Sequence, residues 1–336
     1  MGNHRKEKML TVVIPTYNME SYLDRCLTSL VISDSDIFNA LQVIIVNDGS
    51  KDNSLNIALK YVDKYPDVFE VFDKPNGNYG SCINKGLRMA KGKYFRILDA
   101  DDWFDTNQLV LFINAITNLN EEIDVLITNY TIQGRNMQKF QMKNLQYNKR
   151  YIVNDLNIVS THNELMLRMH AMTFRTELLL DCNLRLQEGI SYTDAEYCYY
   201  PYVKSDSIIF FEINLYQYFV GREGQTVSKD SIKRNFGSFY KVGKRMLDDF
   251  LSRSYLQNGK RISLVNFISN SLFNIYCVYL VYLRQHTKEQ TNMVNEIDSL
   301  VRKDADLNKT VLKFTYKKIP FVFLWRNFGF KLSILF

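Results

Sequence analysis

The feature that most constrains this chain is an alternation within its first 130 residues. Short apolar runs alternate with stretches of helical spacing, and three of those runs end in a polar cluster. Leu10–Ile14 is rich in β-formers and is ended by Pro15. Leu41–Val46 is stopped by Asn47-Asp48-Gly49-Ser50. Val68–Phe72 follows, then Lys93–Leu98, which runs straight into Asp99-Ala100-Asp101-Asp102, then Ile123–Ile127. Helical spacing fills the intervals at Tyr22–Leu30, Ser54–Val62, Gly80–Ala90 and Leu109–Ile116. Continuous apolar strands separated by amphipathic helices predict an α/β fold with a mostly parallel central sheet and helices on both faces. Ligands of such sheets sit beyond the carboxyl ends of the strands. Thr16-Tyr17-Asn18, Asn47–Ser50 and Asp99–Asp102 are therefore expected along one edge.

The stretch 128–228 is less regular. It holds strand candidates at Tyr130–Gln133 and Lys139–Met142, a helix near Glu164–Met169, a polar-aromatic segment at Glu188–Tyr202, and two β-like runs, Ile208–Ile213 and Leu215–Val220. Long helical patterns dominate from Lys229 to about Val301. The expected organisation is an α/β domain over 1–228, a smaller helical C-terminal region over 229–309, and a basic-aromatic tail over 310–336.

Several classes are excluded. Cys26, Cys82, Cys182, Cys198 and Cys277 are odd in number and scattered, without a C-x-x-C pair. Neither a zinc ribbon nor a disulfide framework follows, and a reducing compartment fits. No G-x-G-x-x-G or G-x-x-x-x-G-K-[ST] occurs, which weighs against dinucleotide oxidoreductases and P-loop enzymes. The net charge of +6 is concentrated in the tail, where Lys313, Lys317, Lys318, Arg326 and Lys331 face no acidic residue. A nearly neutral body argues against a nucleic-acid partner. The tail also carries eight aromatics between Phe314 and Phe336. It reads as a segment on an anionic membrane surface, or as aromatics docked on the body with snorkelling lysines; the first is favoured. Ile262–Leu283 is uncharged over 22 residues, but Asn266, Asn270 and Asn274 line one face, so a buried or interfacial helix is expected. Met1–Lys8 is short and charged and has no signal-peptide character. The expected location is cytoplasmic, peripheral on the inner face of the plasma membrane.

Asp99 and Asp101 stand two apart at a strand end, which points both to one side. Such a pair suits a hard divalent cation, Mg²⁺ or Mn²⁺; an acidic turn capping the next helix through Asp105 or Thr106 is an equal reading. Asp48 lies in a tight turn after a buried strand, where a plain turn is the stronger reading taken alone. Gly77-Asn78-Tyr79-Gly80 before a helix has the make-up of a phosphate-binding turn.

In combination these pieces are more specific. Val12-Val-Ile-Pro-Thr-Tyr-Asn18, Val43-Ile-Ile-Val-Asn-Asp-Gly-Ser50, Asn84-Lys-Gly-Leu87 and Gly92-Lys-Tyr-Phe-Arg-Ile-Leu-Asp-Ala-Asp-Asp-Trp103 occur in this order. The set resembles the family 2 glycosyltransferases, which have the GT-A fold, strongly over 10–130 and more weakly to 228. The resemblance implies an inverting, metal-dependent glycosyltransferase of polysaccharide synthesis. It would move a sugar from a nucleotide-sugar, most often UDP-linked, to a saccharide or lipid-linked acceptor. It implies Asp101 as the main metal ligand, with Asp99 toward the ribose and the metal, and Ala100 also beside the nucleotide. Pro15, Thr16, Tyr17, Asn18, Asp48 and Asn84 would line the donor. Ile83 stands where the family often has Arg, with Lys74 as a substitute. Asp194 aligns with the catalytic base, Thr193 stands where an acid is common, and Glu196 is the fallback. Arg222 would neutralise phosphate charge, and His170 is either packed in the fold or in contact with the acceptor or a phosphate. Two other functions stay open: a sugar-nucleotide pyrophosphorylase, and a non-catalytic membrane-associated nucleotide-sugar-binding module. Oligomeric state is not legible.

Overall fold

The computed structural model of the chain describes residues 7–134, 137–156, 167–221, 229–253, 256 and 258–334. Arg222 lies outside them. The chain divides into two compact units, Met1–Gly221 and Arg222–Phe336.

The first unit is built on one sheet. Its strands are β1 (Leu10–Thr16), β2 (Leu41–Asn47), β3 (Phe69–Asp73), β4 (Tyr94–Ile97), β5 (Trp103–Phe104), β6 (Val125–Gln133), β7 (Gln138–Phe140), β8 (Arg150–Ile152), β9 (Met172–Arg175) and β10 (Ser207–Phe219). The order across the sheet is β3-β2-β1-β4-β9-β6-β10-β5, with β7 on β6 and β8 on β10. β3, β2, β1 and β4 are parallel, as are β6 and β10; β9 and β5 run against their neighbours. The parallel ladders are the longer ones, so the sheet is mostly parallel, as the alternation predicts. β2 is buried along its whole length, which is why it reads as an unbroken apolar run.

Around the sheet lie α1 (Leu23–Thr28), α2 (Ser35–Asn39), α3 (Ser54–Lys64), α4 (Asn78–Met89), α5 (Thr106–Thr117), α6 (Thr176–Asp181) and α7 (Asp194–Lys204). The path steps outward from β1 to β2 to β3, then returns through α4 to the other side of β1. Right-handed crossovers therefore put α4 on the face opposite α3. The reversal between β1 and β4 makes their carboxyl ends a topological switch point, where α/β sheets open a crevice for ligands.

Several elements differ from expectation for identifiable reasons. Ile208–Ile213 and Leu215–Val220 are one strand, β10, because β-bulges around Asn214 carry the chain past its polar interruption. Ile123–Ile127 and Tyr130–Gln133 likewise fuse into β6. Buried Thr128 and Asn129 survive in its middle because Arg96 and the Met142 amide hydrogen-bond to them. α2 and α6 are too short to show a period. Of the helix expected near Glu164–Met169, residues 164–166 lie outside the described residues and 167–169 are not helical. Asp105 does cap α5, accepting from the Gln108 amide at 3.1 Å.

The second unit is helical: α8 (Lys229–Arg234), α9 (Phe236–Leu251), α10 (Asn258–Cys277), a π-turn at Val278–Tyr282, α11 (Lys288–Val301), α12 (Ala305–Val311) and α13 (Phe321–Phe328). The stretch Gly259–Tyr282 is long and apolar enough to cross a membrane, yet 78% of its apolar stretch is buried. Asn270 is exposed and Asn266 and Asn274 half-buried, so the asparagine stripe is its wet face. At its centre, Asp298 accepts from Tyr276 Oη at 2.8 Å and from Arg326 Nε at 2.7 Å. Arg326 is thus consumed inside the unit rather than offered outward. Phe314 and Phe321 pack edge-on against Phe273, and Lys331 lies 4.4 Å from the Tyr279 ring. Phe323 and Phe328 remain outside, 42% and 71% exposed.

Candidate active site

The first two polar clusters meet at the ends of β1 and β2. Asp48 N–H donates to the Thr16 carbonyl at 2.8 Å, tying the strand ends together. Pro15 pairs with Val46, Thr16 is buried, and Tyr17 is 46% exposed. Asn18 holds a positive φ of 53°. Its amide donates to Ser50 Oγ at 3.0 Å, and its side-chain oxygen accepts from the Lys51 amide at 2.7 Å. Ser50 therefore braces the loop after β1. Gly49 turns the chain with φ +73°, a conformation that side chains resist. Asp48 is buried, ion-paired with Lys74, and accepts from the Gly77 amide at 2.9 Å.

Two residues beyond Gly77, Tyr79 at the start of α4 donates its hydroxyl to Asp99 Oδ1 at 2.8 Å. One short segment, 77–79, thus links Asp48 to the acid loop after β4. There, the Asp102 amide donates to the Asp99 carbonyl at 3.0 Å, closing a tight turn. Ala100 is buried, and the Asp101 carbonyl accepts from Arg25 Nη2 at 2.7 Å. Asp102 is fully buried, accepting from Tyr216 Oη at 2.6 Å and from the Phe219 amide at 2.7 Å. Burial pushes its pKa well up, and the like charges of Asp99 and Asp101 push it further. Crowded carboxylates of this kind favour a cation among them.

Asp194 is the first residue of α7. Burial raises its pKa, while backbone N–H groups at the helix start and the charge of Arg168 pull it back. Asp194 and Asp99 both act on the Tyr79 phenol, whose own pKa burial has raised well up. Tyr218 feels Asp102, Asp99, Asp101 and Asp194, again after burial. The four acids therefore share one electrostatic neighbourhood. Glu196 is spent elsewhere: its two oxygens accept from the Gln187 amide at 2.9 Å and from Gln187 Nε2 at 2.7 Å. Asn84 is similarly used, exchanging hydrogen bonds of 2.9 Å with both backbone groups of Leu186 and donating to Glu188 Oε1 at 2.9 Å. It clamps α4 to the loop before α7. Gly80 permits that approach, since a Cβ there would lie 2.1 Å from the Gln187 carbonyl oxygen.

Sequence reasoning missed the support beneath the acids. Tyr216 on β10 reaches the acid loop through its hydroxyl, and Tyr218, two residues on, packs against His170 and feels the acids' charge. Arg96 is completely buried in β4, donating to Thr173 Oγ1 at 2.9 Å, Thr128 Oγ1 at 3.1 Å and the His170 carbonyl. Burial lowers its pKa to about 10. Its signal was visible: a lone Arg inside an apolar strand that ends in acids. His170 lies two residues before β9. Burial takes its pKa down to about 3, so it is a neutral imidazole at working pH. A ring nitrogen of His170 and carboxylate oxygens of Asp99 and Asp102 lie within 4.8 Å of one another. Asp101 is not one of that trio.

A mixed sheet with a switch point between β1 and β4, and acids gathered on the loop after β4, is the arrangement of a GT-A-type fold. The family follows from the comparisons: residues 11–177 match Glycosyl transferase family 2, and this chain belongs to that family through them. An uncharacterized glycosyltransferase, the MG025 homolog of Mycoplasma pneumoniae, is 45% identical over 101 residues, 30% of this chain and 33% of that protein. The minor teichoic acid biosynthesis protein GgaB of Bacillus subtilis is 35% identical over 126 residues, 37% of this chain and 14% of that protein. The chain thus covers a third or less of these relatives' length. Among solved structures, S. aureus TarS 1–349 in complex with UDP-GlcNAc has the same fold, with a TM-score of 0.66 at 19% identity over 91% of this chain and 84% of that one.

Proposed function

We propose that this chain is an inverting, metal-dependent glycosyltransferase that moves a sugar from a UDP-sugar to a saccharide or lipid-linked saccharide acceptor in cell-surface polysaccharide synthesis. The observation that carries the reading is the shared electrostatic neighbourhood of Asp99, Asp101 and Asp102, after β4, and Asp194, at the start of α7. TarS, with UDP-GlcNAc, and GgaB, named for teichoic acid synthesis, support the donor and product classes.

Thr16, Tyr17 and Asn18 at the end of β1, with Pro15 behind them, line the nucleotide. Asp48, held by Lys74 and Gly77, accepts from the base. Asp99 and Asp101, with Asp102 tied to β10, would hold Mg²⁺ or Mn²⁺, which when bound would supply positive charge at the diphosphate. Asp194 takes the proton of the acceptor hydroxyl as its oxygen attacks the anomeric carbon opposite the nucleotide. Its raised pKa makes it a stronger base than an ordinary carboxylate. Asn84 supports this arrangement through the 186–188 loop rather than by touching the donor. Arg222 keeps its sequence-based role at the diphosphate.

A sugar-nucleotide pyrophosphorylase would need a Gly-rich, basic loop after β1, and Pro15-Thr-Tyr-Asn18 is not one. A panel of nucleotide-sugars with Mn²⁺, read by thermal shift, tests the assignment. UDP-sugars should raise the melting temperature, and stabilisation by nucleoside triphosphates alone would contradict it.

Exposed Phe323 and Phe328 on α13, with exposed Lys313, Lys317 and Lys318 nearby in sequence, suit the cytoplasmic surface of an anionic membrane. Each cation near such a surface contributes roughly 1 kcal/mol. Co-sedimentation with phosphatidylglycerol vesicles should fall sharply in a Phe323→Ser, Phe328→Ser variant. Equal binding by that variant would overturn the assignment.

A further inference from the structure

We propose that His170 is a nitrogen ligand of the cation held at the acid loop, making the site a mixed carboxylate–imidazole one that selects Mn²⁺ over Mg²⁺. This rests on the metal-dependent reading above and deepens it.

The first observation is geometric. A ring nitrogen of His170 and oxygens of Asp99 and Asp102 lie mutually within 4.8 Å. Opposed ligands at about 2.1 Å from a cation are about 4.2 Å apart, so only a small closure is needed. The second is independent of the acids. His170 Nδ1 is buried and has no hydrogen-bond partner in the structure. A buried polar nitrogen without a partner costs stability, and native folds leave few of them.

The ring is also held as a ligand would be. It lies tilted against Tyr218 at 4.2 Å, stacks with Tyr130 at 5.5 Å and meets Tyr216 edge-on at 5.0 Å. Arg96 grips its backbone carbonyl. The same tyrosine, Tyr216, orients Asp102 through a 2.6 Å hydrogen bond, and Tyr79 orients Asp99 at 2.8 Å. Groups that fix the first ligands in this way are typical of built metal sites. The donor set then decides the metal. Mg²⁺ prefers oxygen and keeps its waters, whereas imidazole suits first-row transition ions.

The test uses the whole chain with Mn²⁺, alone and with UDP added. Pulsed electron paramagnetic resonance of bound Mn²⁺ should show modulation from a directly bonded ¹⁴N. His170→Ala should lose that modulation and weaken Mn²⁺ binding by about tenfold or more, with a smaller effect on Mg²⁺. Mn²⁺ bound to the wild-type chain without ¹⁴N modulation would overturn the proposal while leaving the metal-dependent reading intact. A wild-type chain that binds no Mn²⁺ in either condition would overturn both. Should His170→Ala fail to fold, the wild-type ¹⁴N signal decides alone.

Discussion

Asp194→Asn should lower kcat by about 10²- to 10⁴-fold, the usual contribution of a positioned general base. Donor binding should be nearly unchanged, because the role proposed for Asp194 is at the acceptor hydroxyl and not at the nucleotide. The loss follows from charge alone: asparagine keeps the size and the place at the start of α7 but cannot take a proton. The wild-type rate should rise with pH, because only the ionised carboxylate is a base. Its midpoint should lie above the ordinary carboxylate range, since burial raises the Asp194 pKa. That limb should vanish in Asp194→Asn. Glu196→Gln should keep it, because Glu196 already accepts two hydrogen bonds from Gln187. A folded Asp194→Asn enzyme with the wild-type rate and pH profile would remove Asp194 from the mechanism.

Asp99→Asn should reduce cation-dependent turnover by about 10²- to 10³-fold, corresponding to several kcal/mol of charge stabilisation at the leaving group. Asp99 is the acid common to the sequence motif and to the trio with Asp102 and His170. The fold should survive, since its carboxylate faces Tyr79 and its backbone carbonyl still closes the turn to Asp102. Circular dichroism separates loss of chemistry from loss of structure. Turnover equal to the wild-type chain would contradict the assigned role.

The half of the sheet built from β1 to β4 was legible because its strands are largely buried. Unbroken apolar runs such as Leu41–Val46 leave little ambiguity, and the turn chemistry of Asn47-Asp-Gly-Ser marks where each stops. The position of the acids along one edge then followed from parallel topology. What the sequence hid was long-range. Tyr216 and Tyr218 meet the acid loop only after β10 crosses from β6 to β5, more than a hundred residues after Asp99. His170 joins Asp99 and Asp102 through the antiparallel insertion of β9 beside β4, which no spacing rule reports. The resemblance implied Asn84 and Glu196 as site residues, but no spacing rule showed that each hydrogen-bonds to the 186–188 loop. The tail shows the same limit: Arg326 reads as a surface cation until Asp298 is found beside it.

The most direct test of the central claim is release of UDP from a UDP-sugar by the wild-type chain, with Mn²⁺ and then with a chelator in excess. The account predicts release in the first condition, its collapse in the second, and recovery when Mn²⁺ is restored. Undiminished release under chelation, or none with any cation, would contradict it.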